Sequence, residues 1–164
     1  MSAADEFEHI TTAAAVQAYR DTKPIFDGLL KEVRELSKKK PEATISPGKV
    51  KMINRVLDDL LTFLKDQPAG KYLDLLESDA LPQMSDALLT MVQFDSALDS
   101  FRSRFFKHIH GESFWITQEQ IKEWDDADAE IEADEEDEEE AVEDEEEADD
   151  EEDEADDDDD DHQR

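Results

Sequence analysis

The sequence predicts an all-α fold, a bundle of about five helices with antiparallel neighbours and short loops, followed by a disordered polyacidic C-terminal tail. Three observations lead to this prediction. Apolar residues recur at helical spacing over most of the chain. Strand signals are missing, because no alternating β-branched run and no Asn-Gly turn occurs. The acidic residues are concentrated at the C-terminal end.

Charge divides the chain into two parts. Residues 125–164 contain 29 acidic residues and one arginine, a formal charge of −28, whereas residues 1–124 carry only −4. A block of like charge without aromatic side chains cannot bury enough apolar surface to offset the entropy lost on ordering. We therefore expect a flexible N-terminus over residues 1–10, a helical bundle domain over 11–124 and a disordered acidic tail over 125–164.

The second of the expected helices has the clearest signals. Ser46 is a suitable N-cap, and Pro47 occupies the first helical position, where its missing N–H costs nothing. Apolar residues then repeat on one half of the cylinder and charged residues on the other half. Pro68 and Gly70 end the pattern. A half-buried helix follows from these features.

The same periodicity predicts the other helices. The first covers about residues 11–40 and is kinked or divided at Pro24. A short helix is expected over 71–78, and a long one begins near residue 81 and ends at Gly111. The last begins after Thr117 in a Thr-x-x-Gln capping box, and we expect it to fray as like charges accumulate.

Charged residues interrupt the apolar arc of the long helix. Asp95 and Asp99 are i,i+4 neighbours and Asp99 and Arg102 are i,i+3, so one arginine could pair with both carboxylates. One interpretation is an ion network inside the bundle or across a dimer face. Another is a partner-binding patch that also includes Arg104 and Lys107. A third, a metal or acid–base carboxylate pair, lacks the Glu-x-x-His motif of helical di-metal bundles.

A basic stretch surrounds the expected turn between the first two long helices. It is either a solvated basic face or a nucleic-acid contact. No helix-turn-helix spacing, RNA-recognition motif or aromatic interleaving accompanies it, and the acidic tail would repel phosphates. We therefore do not expect direct nucleic-acid binding. The candidate basic patch comprises Lys31, Arg34, Lys38, Lys39, Lys40, Lys49, Lys51 and Arg55.

Several classes of protein are not indicated by the sequence. The chain has no cysteine, and His108 and His110 would lie on opposite faces of a continuing helix, so we expect no metal site and no cofactor. No phosphate-binding glycine loop, G-x-S-x-G or H-E-x-x-H motif occurs, so we expect no enzyme. No long apolar run and no signal peptide is present, so we expect no membrane contact and a cytoplasmic location, or a nuclear one in a eukaryote.

The tail has three possible roles. It can keep molecules apart in solution, engage or shield a basic partner as phosphate does, or fold back to gate the basic stretch. In composition it resembles the acidic tails of histone chaperones. We expect a non-enzymatic interaction protein whose tail engages a basic protein and whose body can form a homo-oligomer. The alternatives are a nucleic-acid-associated regulator gated by its tail, and a helical oligomerisation domain with a solubilising tail.

Overall fold

The computed structural model of this protein describes residues 3–148, with side chains up to Ala133. The described part is mostly helical and divides at residues 122 and 123 into two units, which are described separately. It contains four α-helices, α1 (Ala13–Lys39), α2 (Pro47–Leu64), α3 (Met84–Phe105) and α4 (Gln118–Ala148). Two 3-10 turns (Ala3–Glu6 and Pro68–Tyr72) and two strands, β1 (Phe106–Ile109) and β2 (Glu112–Trp115), complete it.

The start of α2 predicted from Ser46 and Pro47 is confirmed. The helix begins at Pro47, and the Ser46 hydroxyl accepts a hydrogen bond from the Lys49 backbone N–H at 3.4 Å. Ile45 before the cap and Val50 in the first turn are both buried, as a hydrophobic staple requires. The apolar half of α2 enters the core between α1 and α3.

Helix α1 is continuous through Pro24. Its N-cap is Thr12, whose hydroxyl accepts from the Ala15 backbone N–H at 3.1 Å. The proline removes one N–H donor, but the apolar stripe on either side of it stays buried against α2 and α3. Phe26, two residues after the proline, is fully buried. Packing of this stripe therefore holds the helix together across the missing hydrogen bond.

Aromatic rings join the elements of the core. Phe101 of α3 stacks with Tyr19 of α1 at 5.6 Å between ring centroids and meets Phe63 of α2 edge-on at 5.0 Å. It also contacts Phe105 at 4.9 Å and Trp115 of β2 at 6.0 Å. One buried ring thus touches all three packed helices and the strand that follows them.

The predicted short helix over residues 71–78 is wrong. The 3-10 turn ends at Tyr72, and no helix follows between Leu73 and Leu81. The Asn54 side chain donates to the Leu76 carbonyl and accepts from the Leu76 N–H, both at 2.8 Å. These two bonds satisfy backbone groups that a helix would otherwise pair, and they hold the segment against α2 with Leu73 and Leu76 buried.

The predicted C-terminal end of the long helix, at Gly111, is wrong, and so is the expected absence of strands. Helix α3 ends at Phe105, and the next ten residues form an antiparallel hairpin in which Phe106 pairs with Trp115. His110 and Gly111 have φ of 51° and 88°, and two positive values define a two-residue type I′ turn. Gly111 therefore closes a hairpin. A histidine in place of the usual asparagine concealed this turn in the sequence.

Helix α4 begins as predicted. The Thr117 hydroxyl accepts from the Gln120 N–H at 3.1 Å, and Ile116 and Ile121 are buried on either side of this cap. A parallel bridge joins Thr11 to Thr117, in which the Thr11 N–H donates to Ile116 and its carbonyl accepts from Gln118, both at 3.0 Å. The start of α4 is thereby tied to the segment that precedes α1.

Part of the predicted acidic tail is helical. Helix α4 continues to Ala148, and every side chain described from Asp126 to Ala133 is exposed, as expected for a tail that builds no packed core. Glu and Ala are strong helix formers, and neither proline nor glycine follows Gly111 in the sequence. In this acidic segment, helix propensity favours the helical backbone, while repulsion between like charges prevents the segment from packing into a compact fold. The polyaspartate run, at 156–161, lies outside the described residues.

Gly111 has a positive φ, whereas Gly28 lies inside helix α1. Substitution by alanine should therefore change the free energy of unfolding in opposite directions at the two positions. Gly111→Ala should lower the free energy of unfolding by about 1–2 kcal/mol, because φ is positive and no neighbour limits a Cβ there. Gly28→Ala, at an exposed position inside α1 with equal space, should raise it by about 0.5–1 kcal/mol. Urea unfolding measures both. A neutral Gly111 variant would contradict the type I′ turn.

Candidate interaction surfaces

The charged cluster on α3 does not form the predicted ion network. Asp95 is half-buried, whereas Asp99 and Arg102 are exposed. Among the side chains of residues 3–133, no ion pair joins Arg102 to either carboxylate. The Arg102 guanidinium lies instead over the Phe106 ring, 4.7 Å from its centroid. This arginine therefore makes a cation–π contact at the start of the hairpin.

Asp95 faces the charged edge of α1. Burial raises the pKa of its carboxyl and the charge of Asp99 raises it further, while Lys23 on α1 opposes the shift. Lys23 is itself paired with Asp27 at 2.7 Å, so it is shared between two acids. Across the described residues, no three His, Asp or Glu side chains are grouped to hold a metal ion. Asp95 is therefore a partly buried carboxylate that is not part of a metal-binding cluster.

The other two members of the candidate partner-binding patch lie at the end of α3. Arg104 is half-buried in the last turn, and the Lys107 ammonium donates to the Ser103 carbonyl at 2.9 Å. A cation at this position satisfies an unpaired carbonyl and the negative end of the helix dipole. His108, on β1, lies 3.0 Å from the Ser113 hydroxyl across the hairpin. The side chains of Lys107 and His108 thus have hydrogen-bond partners within the helix end and the hairpin.

The eight residues of the candidate basic patch are all exposed. At about 100° per residue, Lys31, Arg34 and Lys38 share one exposed arc of α1, to one side of its buried stripe. Lys51 and Arg55 share the corresponding arc of α2. Within the described region Lys38 is paired with Glu35 at 3.0 Å, which leaves most of these cations facing solvent. The patch follows two helices and the turn between them.

Next to the basic patch lies a groove that the sequence did not reveal. It encloses about 230 Å³ between α1, α2 and the start of α3 and is lined mainly by apolar side chains. Met52 at its rim is 56% exposed. Helical periodicity indicates which residues face a neighbouring helix. It does not indicate whether the side chains of the two helices fill the space between them or leave a groove. The available signal was the methionine pair, Met52 and Met84, because flexible methionines often line adaptable surfaces.

The acidic segment forms the second unit, Glu123–Arg164. Its described part is a helix, and residues 123–148 at 1.5 Å per residue span about 38 Å. The described carboxylates of this helix, those of Asp126, Asp128, Glu130 and Glu132, are all exposed. Such an arrangement presents dense negative charge without a fixed ligand geometry.

Comparison of the chain with protein-family models, with curated proteins and with solved structures finds no match. In residues 3–148, none of the helices combines the length and the apolar content needed to cross a membrane.

The position of Arg102 predicts a small effect of its removal. Arg102→Ala should lower the free energy of unfolding by about 0.5–1 kcal/mol, as expected for an exposed cation–π contact. A buried ion network would instead cost about 3–5 kcal/mol when one partner is removed. Urea unfolding distinguishes these values. Ser103→Ala, at the next exposed position, is the matched control.

Replacement of Asp95 by asparagine should stabilise the protein in a pH-dependent way. Its pKa is raised on folding, so the folded protein binds this proton more tightly than the unfolded chain, and stability falls as pH rises through the folded pKa. Asp95→Asn removes this penalty and should raise the melting temperature at neutral pH. The gain should disappear below about pH 4, where the unfolded carboxyl is also protonated. A loss of stability at neutral pH would show that pairing with Lys23 dominates.

Proposed function

We propose that this protein is a non-enzymatic interaction protein that engages or shields basic protein partners through its acidic segment, residues 125–164. The observation that carries the proposal is the formal charge of −28 on this segment, together with the exposure of its described side chains from Asp126 to Ala133. The folded unit, residues 1–122, is its carrier.

Electrostatics determines which partners suit such a segment. Each carboxylate contributes weakly and is screened beyond about 8–10 Å at physiological salt. Many carboxylates together attract a lysine- or arginine-rich surface from a distance and accelerate encounter. The described carboxylates from Asp126 to Glu132 are exposed along a helix and form no closed site, so no single lysine or arginine geometry is required. The recognised property of the partner is therefore its density of positive charge.

The same physics makes the segment a competitor of nucleic acid. A basic surface that binds phosphates gains affinity through the charges it neutralises. A dense row of carboxylates offers the same surface an alternative anion. Binding to this protein would therefore shield the partner from DNA or RNA until a stronger polyanion displaces it.

A second candidate function rests on the exposed basic patch. All eight of its side chains are accessible, which favours a phosphate contact that the acidic segment would oppose. In this alternative the protein is a nucleic-acid-associated regulator. The patch lies on two helices and lacks the aromatic side chains that commonly stack on bases, so we place this function second.

Charge density, and not sequence order, should control binding. The full chain is titrated with a labelled lysine-rich polycation, and affinity and association rate are measured across a salt series. Scrambling residues 130–161 at fixed composition should preserve binding. Replacing half of the acids in this range by Asn and Gln should weaken it, chiefly through a slower association rate, because electrostatics mainly accelerates encounter. Affinity should fall steeply as salt rises.

Controls separate the competing roles of the segment. Lys38→Ala tests the basic patch and should leave polycation binding unchanged. Failure of the scrambled chain at intact charge would reveal a specific motif and contradict the proposal. Unchanged binding by the neutralised chain, with earlier precipitation, would support a solubilising role. Duplex DNA binding by the neutralised chain but not by the native chain would support the second candidate.

A further inference from the structure

Helix α3 carries an exposed surface without charge. Leu89 is 65% exposed and Val92 37%, and Tyr72, which lines a groove together with Val92, is 63% exposed. A groove of about 290 Å³ runs between this surface and the 3-10 turn that contains Tyr72. We define the α3 outer face as the exposed residues that share this side of the helix, namely Leu89, Val92, Gln93, Ser96, Ser100 and Ser103.

This face is unusual for the chain. Charged residues make up 40% of the sequence, and they dominate the exposed positions of α1 and α2. From Leu89 to Ser103, about 21 Å, the centre of the α3 outer face carries no charge, and the exposed Asp99 borders it at one edge. Exposed apolar side chains grouped on an uncharged surface are characteristic of protein–protein contacts.

The size of the side chains changes along the face. Leu89, Val92 and Gln93 form its N-terminal half, whereas the three serines form its C-terminal half. In a parallel pairing of two such faces, large side chains would meet large ones. In an antiparallel pairing, each large side chain meets the serines of the other copy, and the helices can approach closely. The face is therefore complementary in shape to itself when reversed.

The charges at the edge of the face are also complementary when reversed. Asp86 and Arg104 are eighteen residues apart, about five turns, so both lie at the same edge of α3. A two-fold axis near residue 95 places Asp86 of one copy beside Arg104 of the other. Asp99 lies at the opposite edge, where its two copies would be about 12 Å apart along the helices, which is a screened distance.

We infer that the α3 outer face is the contact surface of a symmetric antiparallel dimer of this chain. Such a contact is isologous, because the same patch serves both copies and each unlike-charge pair occurs twice. The inference does not depend on the function of the acidic segment. The two respond oppositely to salt, because the formal charge of −32 on each copy opposes dimer formation. Self-association should therefore strengthen as salt rises, whereas polycation binding weakens.

Single cysteines test the geometry directly, since the native chain contains none. Near the axis, the two copies of residue 96 are offset by about 3 Å along helices packed about 8–10 Å apart, which is within reach of a disulfide. The two copies of residue 103 are about 24 Å apart. Full-length Ser96→Cys should cross-link readily on oxidation. Ser103→Cys should cross-link no faster than Thr62→Cys, an exposed control position on α2.

Sedimentation equilibrium of the full chain provides the second measurement. The native protein should show a concentration-dependent dimer that Ser96→Arg abolishes and the control Thr62→Arg preserves. Arg104→Glu should weaken the dimer, and adding Asp86→Lys should restore it. The restoration is the diagnostic result, because Asp86→Lys alone also removes the bond that this carboxylate accepts from the Gln83 N–H. Polycation binding by Ser96→Arg should equal that of the native chain, which separates this inference from the proposed function. Circular dichroism checks that each variant is folded.

Three outcomes would overturn the inference. The first is a native chain that stays monomeric at every concentration and salt used. The second is cross-linking of Ser96→Cys no faster than Thr62→Cys. The third is equal cross-linking of Ser96→Cys and Ser103→Cys, which would indicate parallel helices and would leave Asp86 without Arg104 as its partner.

Discussion

The aromatic packing that joins the three core helices to the hairpin is centred on one buried ring, that of Phe101. This side chain is 1% exposed and contacts aromatic rings from α1, α2, α3 and β2. Aromatic pairs in this geometry add a directional preference to the apolar burial of each ring. The cluster therefore sets the orientation of the three helices and the place where the hairpin leaves α3. The outward face of α3 is uncharged on the side that this packing leaves free.

The two units of the chain obtain their helices from different sources. In residues 1–122, helices such as α1 persist through an interior proline because buried side chains support them on both sides. In the acidic unit, the described helix exposes its side chains from Asp126 to Ala133, so glutamate and alanine propensity supplies its stability. Propensity of this kind is more sensitive to charge repulsion than a packed apolar core is. Solution conditions should therefore affect the two units differently.

Local signals were sufficient for much of the fold. Ser46 with Pro47 and Thr117 with Gln120 identified two helix starts, because capping depends on adjacent residues. The hairpin was missed because helical and extended patterns both suit Phe106 and Ile109, and only the positive φ of His110 separates them. The segment after Tyr72 was missed because Asn54, far away in sequence, satisfies its backbone. The contact of Arg102 with Phe106 could not be found before the end of α3 was known.

The bridge between Thr11 and Thr117 has a mechanical consequence. A force applied to the acidic helix would load the start of α4, where two backbone hydrogen bonds connect Ile116 and Gln118 to Thr11. The two paired segments run in the same direction, so a pull along them loads both bonds together in shear. The force then passes into the first turn of α1, whose N-cap is the adjacent Thr12. A load on the acidic helix is thus divided between the covalent path into the hairpin and the hydrogen-bonded path into α1.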